Sequence, residues 1–145
     1  MKISKNFTLE EFIKSDTADR YNIDNTPSEE IKKHIIELVE KLMQPIRTKW
    51  GKAIIINSGY RCEELNDKVG GSKTSQHKSG YACDFKTTNG QNAKLFNLIK
   101  QMIENKEIEC DQLIWEYGTK KNPNWIHIAL HETKMRNQIL YYYSK

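Results

Sequence analysis

Two histidines and an aspartate carry the most distinctive chemistry of this chain. His77 and Asp84 stand seven positions apart in Ser75-Gln76-His77-Lys78-Ser79-Gly80-Tyr81-Ala82-Cys83-Asp84, and His127 lies far downstream in the apolar run Trp125-Ile126-His127-Ile128-Ala129. Imidazole nitrogen and carboxylate oxygen both bind zinc. Three protein ligands plus a water make a catalytic centre, whereas structural zinc sites are closed by four. The set points to a zinc hydrolase. Spacing alone keeps a second reading open, because a strand histidine is often a hydrogen-bonded structural residue. His77, among Gly, Ser and Lys, would also fit an ordinary loop.

For these side chains to meet, strands must present them on one face. In a strand over Tyr81 to Lys86, Ala82 and Asp84 share one face while Tyr81, Cys83 and Phe85 take the other. In a strand from Trp125 to Leu130, His127 goes with Trp125 and Ala129. Ile126, Ile128 and Leu130 form the core side, so His127 faces a cleft. A buried carboxylate such as Asp84 needs a partner, and zinc would satisfy all three groups together. Asp111 to Tyr117 reads as a further strand, joined to the His127 strand through polar residues 118–124 as a hairpin. That hairpin would carry Glu116 beside His127. His131 has the parity of His127 but lies roughly 13 Å along the strand, too far for the same ion; it and His34 read as structural or solvated.

The remaining chain supplies helices to cover such a sheet. Residues 6–15 predict a short helix with Thr8 as cap and Glu11 completing a capping box. Residues 16–25 read as irregular. Thr26-Pro27-Ser28-Glu29 reads as a Thr N-cap with Pro at the first helical position. Ile31, Ile35, Leu38, Val39, Leu42 and Ile46 then recur at helical spacing to about residue 49, with Pro45 expected to kink or shorten the helix. Residues 52–58 read as a buried strand, 62–74 as a loop or short helix, 91–105 as a second amphipathic helix, and 134–143 as a final strand. No repeat or low-complexity segment interrupts the pattern. The expected fold is α+β: helices on a small, mostly antiparallel sheet, in one domain over 1–145.

Bulk properties narrow the class. The 145 residues are enough for one domain with a real core, and 37% hydrophobic with 29% charged residues in periodic segments argues against disorder. A net charge of +4 suits an anionic partner, such as a cell-wall polymer or nucleic acid. No dense basic run interleaves with aromatics, which argues against nucleic acid. Three cysteines without a C-x-x-C pair form no disulfide framework, fitting a reducing compartment. The N-terminal lysines precede no apolar core of a Sec signal, and no run is long enough to span a membrane. The protein is therefore expected to be made in the cytoplasm and to reach any outside substrate by another route. Nothing sets the oligomeric state, with a monomer as the working expectation.

The motif Ser75-x-His77-x-x-Gly80-x-Ala82-x-Asp84 resembles the signature of the zinc D-Ala-D-Ala carboxypeptidase family. These peptidoglycan metallopeptidases also include D,D-dipeptidases and phage L-alanyl-D-glutamate endolysins. The similarity extends to Ser58-Gly59-Tyr60-Arg61 and Trp125-Ile126-His127, and the portion from Asn6-Phe7-Thr8 to Asn25-Thr26-Pro27 resembles the small single-domain members. The resemblance implies a hedgehog/D-Ala-D-Ala peptidase-like fold, Zn2+ held by His77, Asp84 and His127, and the peptidoglycan stem peptide as substrate. It further implies that Arg61 points into the site to bind a substrate carboxylate or the oxyanion.

One departure stands out. Many members place an acidic residue a few positions before the last histidine, where this chain has Asn122, Pro123, Asn124 and Trp125. Glu116 is the best substitute as general base, with Asp111 and Glu132 as lesser candidates. Ser75 and Gln76 are expected to donate hydrogen bonds to ligands or substrate. Tyr60 and Trp125 are expected to wall the cleft, Gly80 and Ala82 to leave room, and Cys83 to fill core. Small size without a signal or wall-binding domain suits a phage or prophage lysis protein, or virion machinery; a bacterial D,D-carboxypeptidase or dipeptidase is the nearest alternative. Outside this class stands a non-catalytic zinc-binding domain that binds wall or a protein partner, kept open by the missing acid.

Overall fold

Period-two alternation of apolar residues yields five short strands in the computed structural model, which describes residues 1–143. They are β1 (Ile54–Ser58), β2 (Ala82–Thr87), β3 (Gln112–Glu116), β4 (Trp125–Ala129) and β5 (Gln138–Tyr142). One sheet of order β1-β2-β4-β3-β5 results, antiparallel except for the parallel β3–β5 pair. The fold is therefore α+β with a mostly antiparallel sheet. Cys83, Phe85, Leu113, Trp115, Ile126 and Ile128 are buried on one face. Against them lies α5 (Asn92–Glu104), whose Leu95, Phe96 and Ile99 are fully buried, with Phe96 edge-on to Trp115 at 5.3 Å.

The second layer of the core comes from the long helical segment. It runs as α2 (Glu29–Leu38), a wider π-type turn (Val39–Met43) and α3 (Gln44–Trp50), closed by Gly51 at φ +74°. The expected helix thus continues past Pro45. Regular hydrogen bonding lapses just before the proline, which has no N–H to offer, and resumes after it. The start differs from expectation: Ser28, not Thr26, is the N-cap, accepting from the Ile31 N–H at 3.2 Å. Thr26 instead turns its N–H and hydroxyl to Asp24.

Three further segments depart from their sequence pattern. The helix expected over 6–15 is a single 3-10 turn, Glu10–Phe12. Phe7, Leu9 and Phe12 are all buried, and Thr8 is held in a bridge to Lys2, so an extended approach wins over a helical one. The Thr8–Glu11 contact survives, with Glu11 accepting from the Thr8 N–H at 2.9 Å. Residues expected to be irregular include α1 (Asp16–Arg20), capped by Ser15 and anchored by buried Ala18. The β1 strand is an edge, not a buried strand, with Ile55 41% exposed. Residues 62–74 hold α4 (Glu63–Lys68).

Candidate metal centre

Asp84 and His127 come together through pairing of β2 with β4, where the two residues are directly opposite. Both lie on the face turned away from the core, as parity requires. His127 Nδ1 lies 2.9 Å from Asp84 Oδ1. His77 arrives from a 3-10 turn, Gln76–Ser79, that immediately precedes β2. Ser75 caps this turn by accepting from the His77 N–H, and Gly80 ends it at φ +81°. A Cβ at Gly80 would sit 3.1 Å from Ile31 and Ile35, so glycine lets the turn press directly on α2.

His77 is 3% exposed and its Nδ1 lies 2.7 Å from the Gly59 carbonyl oxygen. A carbonyl only accepts, so Nδ1 carries a proton, and Nε2 is the atom turned toward Asp84, able to donate to it when protonated and to bind a metal when not. That Nε2 lies 3.4 Å from Asp84 Oδ1. The three ligand atoms lie within 4.8 Å of one another, a spacing one ion can bridge. Burial pushes the Asp84 carboxyl up, but the imidazoles of His77 and His127 outweigh it and hold the group ionised, well below the usual carboxylate range. Two imidazoles and one carboxylate are a donor set suited to zinc, and the Gly59 carbonyl supplies the orienting contact that metal-binding histidines ordinarily have.

The three residues lie in an open cleft of about 770 Å³, whose other walls include Arg61, Ser75, Glu116, Tyr117, Trp125 and Tyr142. Arg61 reaches the cleft from the chain after β1, fixed by its N–H donating to the His77 carbonyl at 3.0 Å. Its Nη2 lies 3.5 Å from Ser75 Oγ, and its buried Nε has no partner. Burial lowers the guanidinium pKa and the Asp84 charge opposes that; the group stays a cation. Glu116 sits on the metal face of β3, opposite Trp125 and diagonal to His127. Burial raises its pKa, the Asp84 charge adds to this, and His127 works against it. These effects move a carboxylate toward the range of a useful general base.

Other expected site residues lie elsewhere or serve the scaffold. Gln76 borders the cleft, but its Nε2 donates to Asp111 Oδ2 at 2.9 Å and to the Leu130 carbonyl at 2.7 Å. Its amide N–H groups therefore hold the His77 turn rather than face a substrate. Asp111, fully buried, also accepts from Arg136 at 2.7 and 3.0 Å, which commits it to structure. Tyr60 is half-buried against the core and is not part of the cleft lining. Glu132 and His131 border a second depression on the far side of Ser75 and Gln76, where His34 stacks on Tyr81 at 4.1 Å. Tyr117 and Tyr142 are cleft aromatics without a role in the sequence reading, as are the lining residues Ile114 and Gln112. The Tyr117-Gly118 turn signal was available, but the position of Tyr142 depends on a parallel pairing with no local signature.

A His–Asp–His cluster on a mostly antiparallel α+β sheet, at the floor of an open cleft, has the donor set and spacing to hold one metal ion. The family model described as Peptidase M15 matches residues 5–129, and the chain belongs to that family. No curated protein matches it. Among the described residues, no helix is long and apolar enough to cross a membrane.

Proposed function

We propose that this protein is a zinc-dependent peptidase that hydrolyses a peptide bond in the peptidoglycan stem. The observation that carries the reading is the convergence of His77, Asp84 and His127 within 4.8 Å, beneath walls that hold one carboxylate and one under-used cation. Membership of the Peptidase M15 family supports it. Bound zinc would polarise the scissile carbonyl and acidify a water. Glu116 then takes a proton from the attacking water and returns it to the departing amine. Arg61 holds a substrate carboxylate or the developing oxyanion, a role that fits a buried guanidinium with an unpaired Nε. Ser75 keeps Arg61 and the His77 turn in place. The natural setting we propose is the cell wall, with the protein acting as a single-domain monomer in phage or prophage lysis or in virion machinery.

The decisive experiment measures metal content and stem-peptide hydrolysis on one preparation, with His77→Ala alongside. About one zinc per chain and cleavage, both lost in the variant, are expected, and product masses name the bond. A folded protein that takes up no zinc would overturn the reading. One observation favours a second reading, a non-catalytic zinc-binding domain: no acid directly precedes His127, and Glu116 comes from the neighbouring strand. Zinc without cleavage of any wall substrate would select it.

A further inference from the structure

Beside the three candidate metal ligands, the cleft has an aromatic end of which the proposed reaction uses only Glu116. Trp125, Glu116 and Tyr142 stand side by side across β4, β3 and β5 in direct register. This row is one step along the sheet from the row containing His127 and Ile114, roughly 7 Å away. Tyr117 adjoins it, with its ring edge-on to Trp125 at 5.3 Å and its N–H donating to the Tyr142 carbonyl. Tyr117 has φ +58°, a conformation unusual for a bulky residue. Such strain is retained where the surrounding structure insists on it, commonly at binding sites.

Both tyrosines are exposed, Tyr117 by 44% and Tyr142 by 49%, although this sheet has a full core on its other face. Exposed aromatic plates grouped at one end of a cleft mark a binding surface. The cleft is thus polarised: the Arg61 guanidinium at one side, the metal ligands at its floor, and flat aromatic surface at the other side. The polar group at the aromatic end is Glu116, in register between Trp125 and Tyr142, while the aliphatic Ile114 is buried in the neighbouring row beside His127. An aliphatic peptide side chain would call for an aliphatic pocket. A pyranose ring presents a C–H face to stack on such plates and hydroxyls for the polar group, a match to the amphipathic character of Tyr and Trp.

We propose that Tyr117, Trp125 and Tyr142 form a saccharide subsite continuous with the metal cleft, which stacks on a sugar ring of the glycan to which the stem peptide is attached. This inference rests on the peptidoglycan reading above and adds a second recognition element to it.

The test compares binding of two probes to the zinc-loaded protein by calorimetry: a muropeptide carrying its disaccharide, and the same stem peptide without sugar. The wild type should bind the muropeptide about tenfold more tightly. Tyr142→Ala, and Tyr117→Asn chosen to tolerate the positive φ, should bring that ratio close to one, and Tyr142→Trp should keep it. Equal affinities in the wild type, or a preference that survives both substitutions, would overturn the subsite. Hydrolysis of the two probes is scored separately: cleavage of both without sugar preference removes the subsite and leaves the peptidase, whereas sugar-dependent binding without cleavage removes the peptidase and leaves the subsite.

Discussion

Asp84 and His127 face each other in register on adjacent antiparallel strands, with carboxylate oxygen and imidazole Nδ1 2.9 Å apart. Side chains in such a pair are held by two backbones at once. That makes them rigid candidate ligands, and it makes each the other's neutralising partner, both side chains being mostly buried at the floor of the cleft. Replacing His127 by Ala should abolish stoichiometric zinc uptake while the fold persists, since the core face of β4 is unchanged. Elemental analysis after dialysis, with circular dichroism as the control, checks this. Retained stoichiometric zinc would exclude His127 as a ligand.

Glu116→Gln separates catalysis from metal binding. The amide keeps the size and much of the polarity of the side chain but cannot accept the proton. Turnover of stem peptide should fall by about 10²- to 10⁴-fold, with zinc content unchanged. Full activity in this variant would move the general base elsewhere.

The Asp111–Gln76–Arg136 network should support both stability and the metal site. Asp111→Asn weakens two charge-assisted contacts from Arg136 and one from Gln76, with an expected loss of about 2–3 kcal/mol in denaturant unfolding near neutral pH. Hydrogen bonds from Arg136 hold the Asp111 carboxyl below its ordinary value, outweighing burial, with Gln76 assisting. A depressed folded pKa stabilises above the unfolded pKa and loses that contribution as pH falls through the folded one. The gap between wild type and variant should therefore be full above about pH 5 and shrink below about pH 4. A gap independent of pH would show that the carboxylate charge is not what matters.

Gly59→Ala tests the orienting contact on His77. A Cβ there would lie 2.5 Å from the Phe12 carbonyl oxygen and 2.7 Å from its Cα, both backbone atoms with little freedom to yield. The displaced Gly59 carbonyl would no longer receive the His77 Nδ1–H in place. Zinc affinity should drop by about 10- to 100-fold in a chelator competition, together with a lower melting temperature. Unchanged affinity would show that His77 needs no such support.

What the sequence determined by itself follows from local periodicity. Alternation in Tyr81–Lys86 and Trp125–Leu130 already separates Asp84 and His127 from the apolar residues that become core, because strand side chains point to opposite faces whatever the pairing. The apolar stripe of α5 was legible for the same reason, and the motif around His77 marked His77 and Asp84 as candidate ligands, which the structure brings together with His127. The short helix at Asp16–Arg20 was not legible, since it buries only Ala18 and is set by its Ser15 cap and by packing near Leu65. Nor was the shift of the N-cap to Ser28, where Asp24 competes for Thr26.

Tertiary structure alone decided the register that sets Asp84 opposite His127, the approach of the Gly59 carbonyl to His77, and the capture of Gln76 by Asp111 and Leu130. It alone laid β5 parallel to β3, which brings Tyr142 beside Glu116. The physical reason is common to all of these. Each contact joins residues far apart in the chain through backbone pairing or a buried hydrogen bond, and its partner is selected by the closure of the whole core, not by any spacing a local pattern can carry.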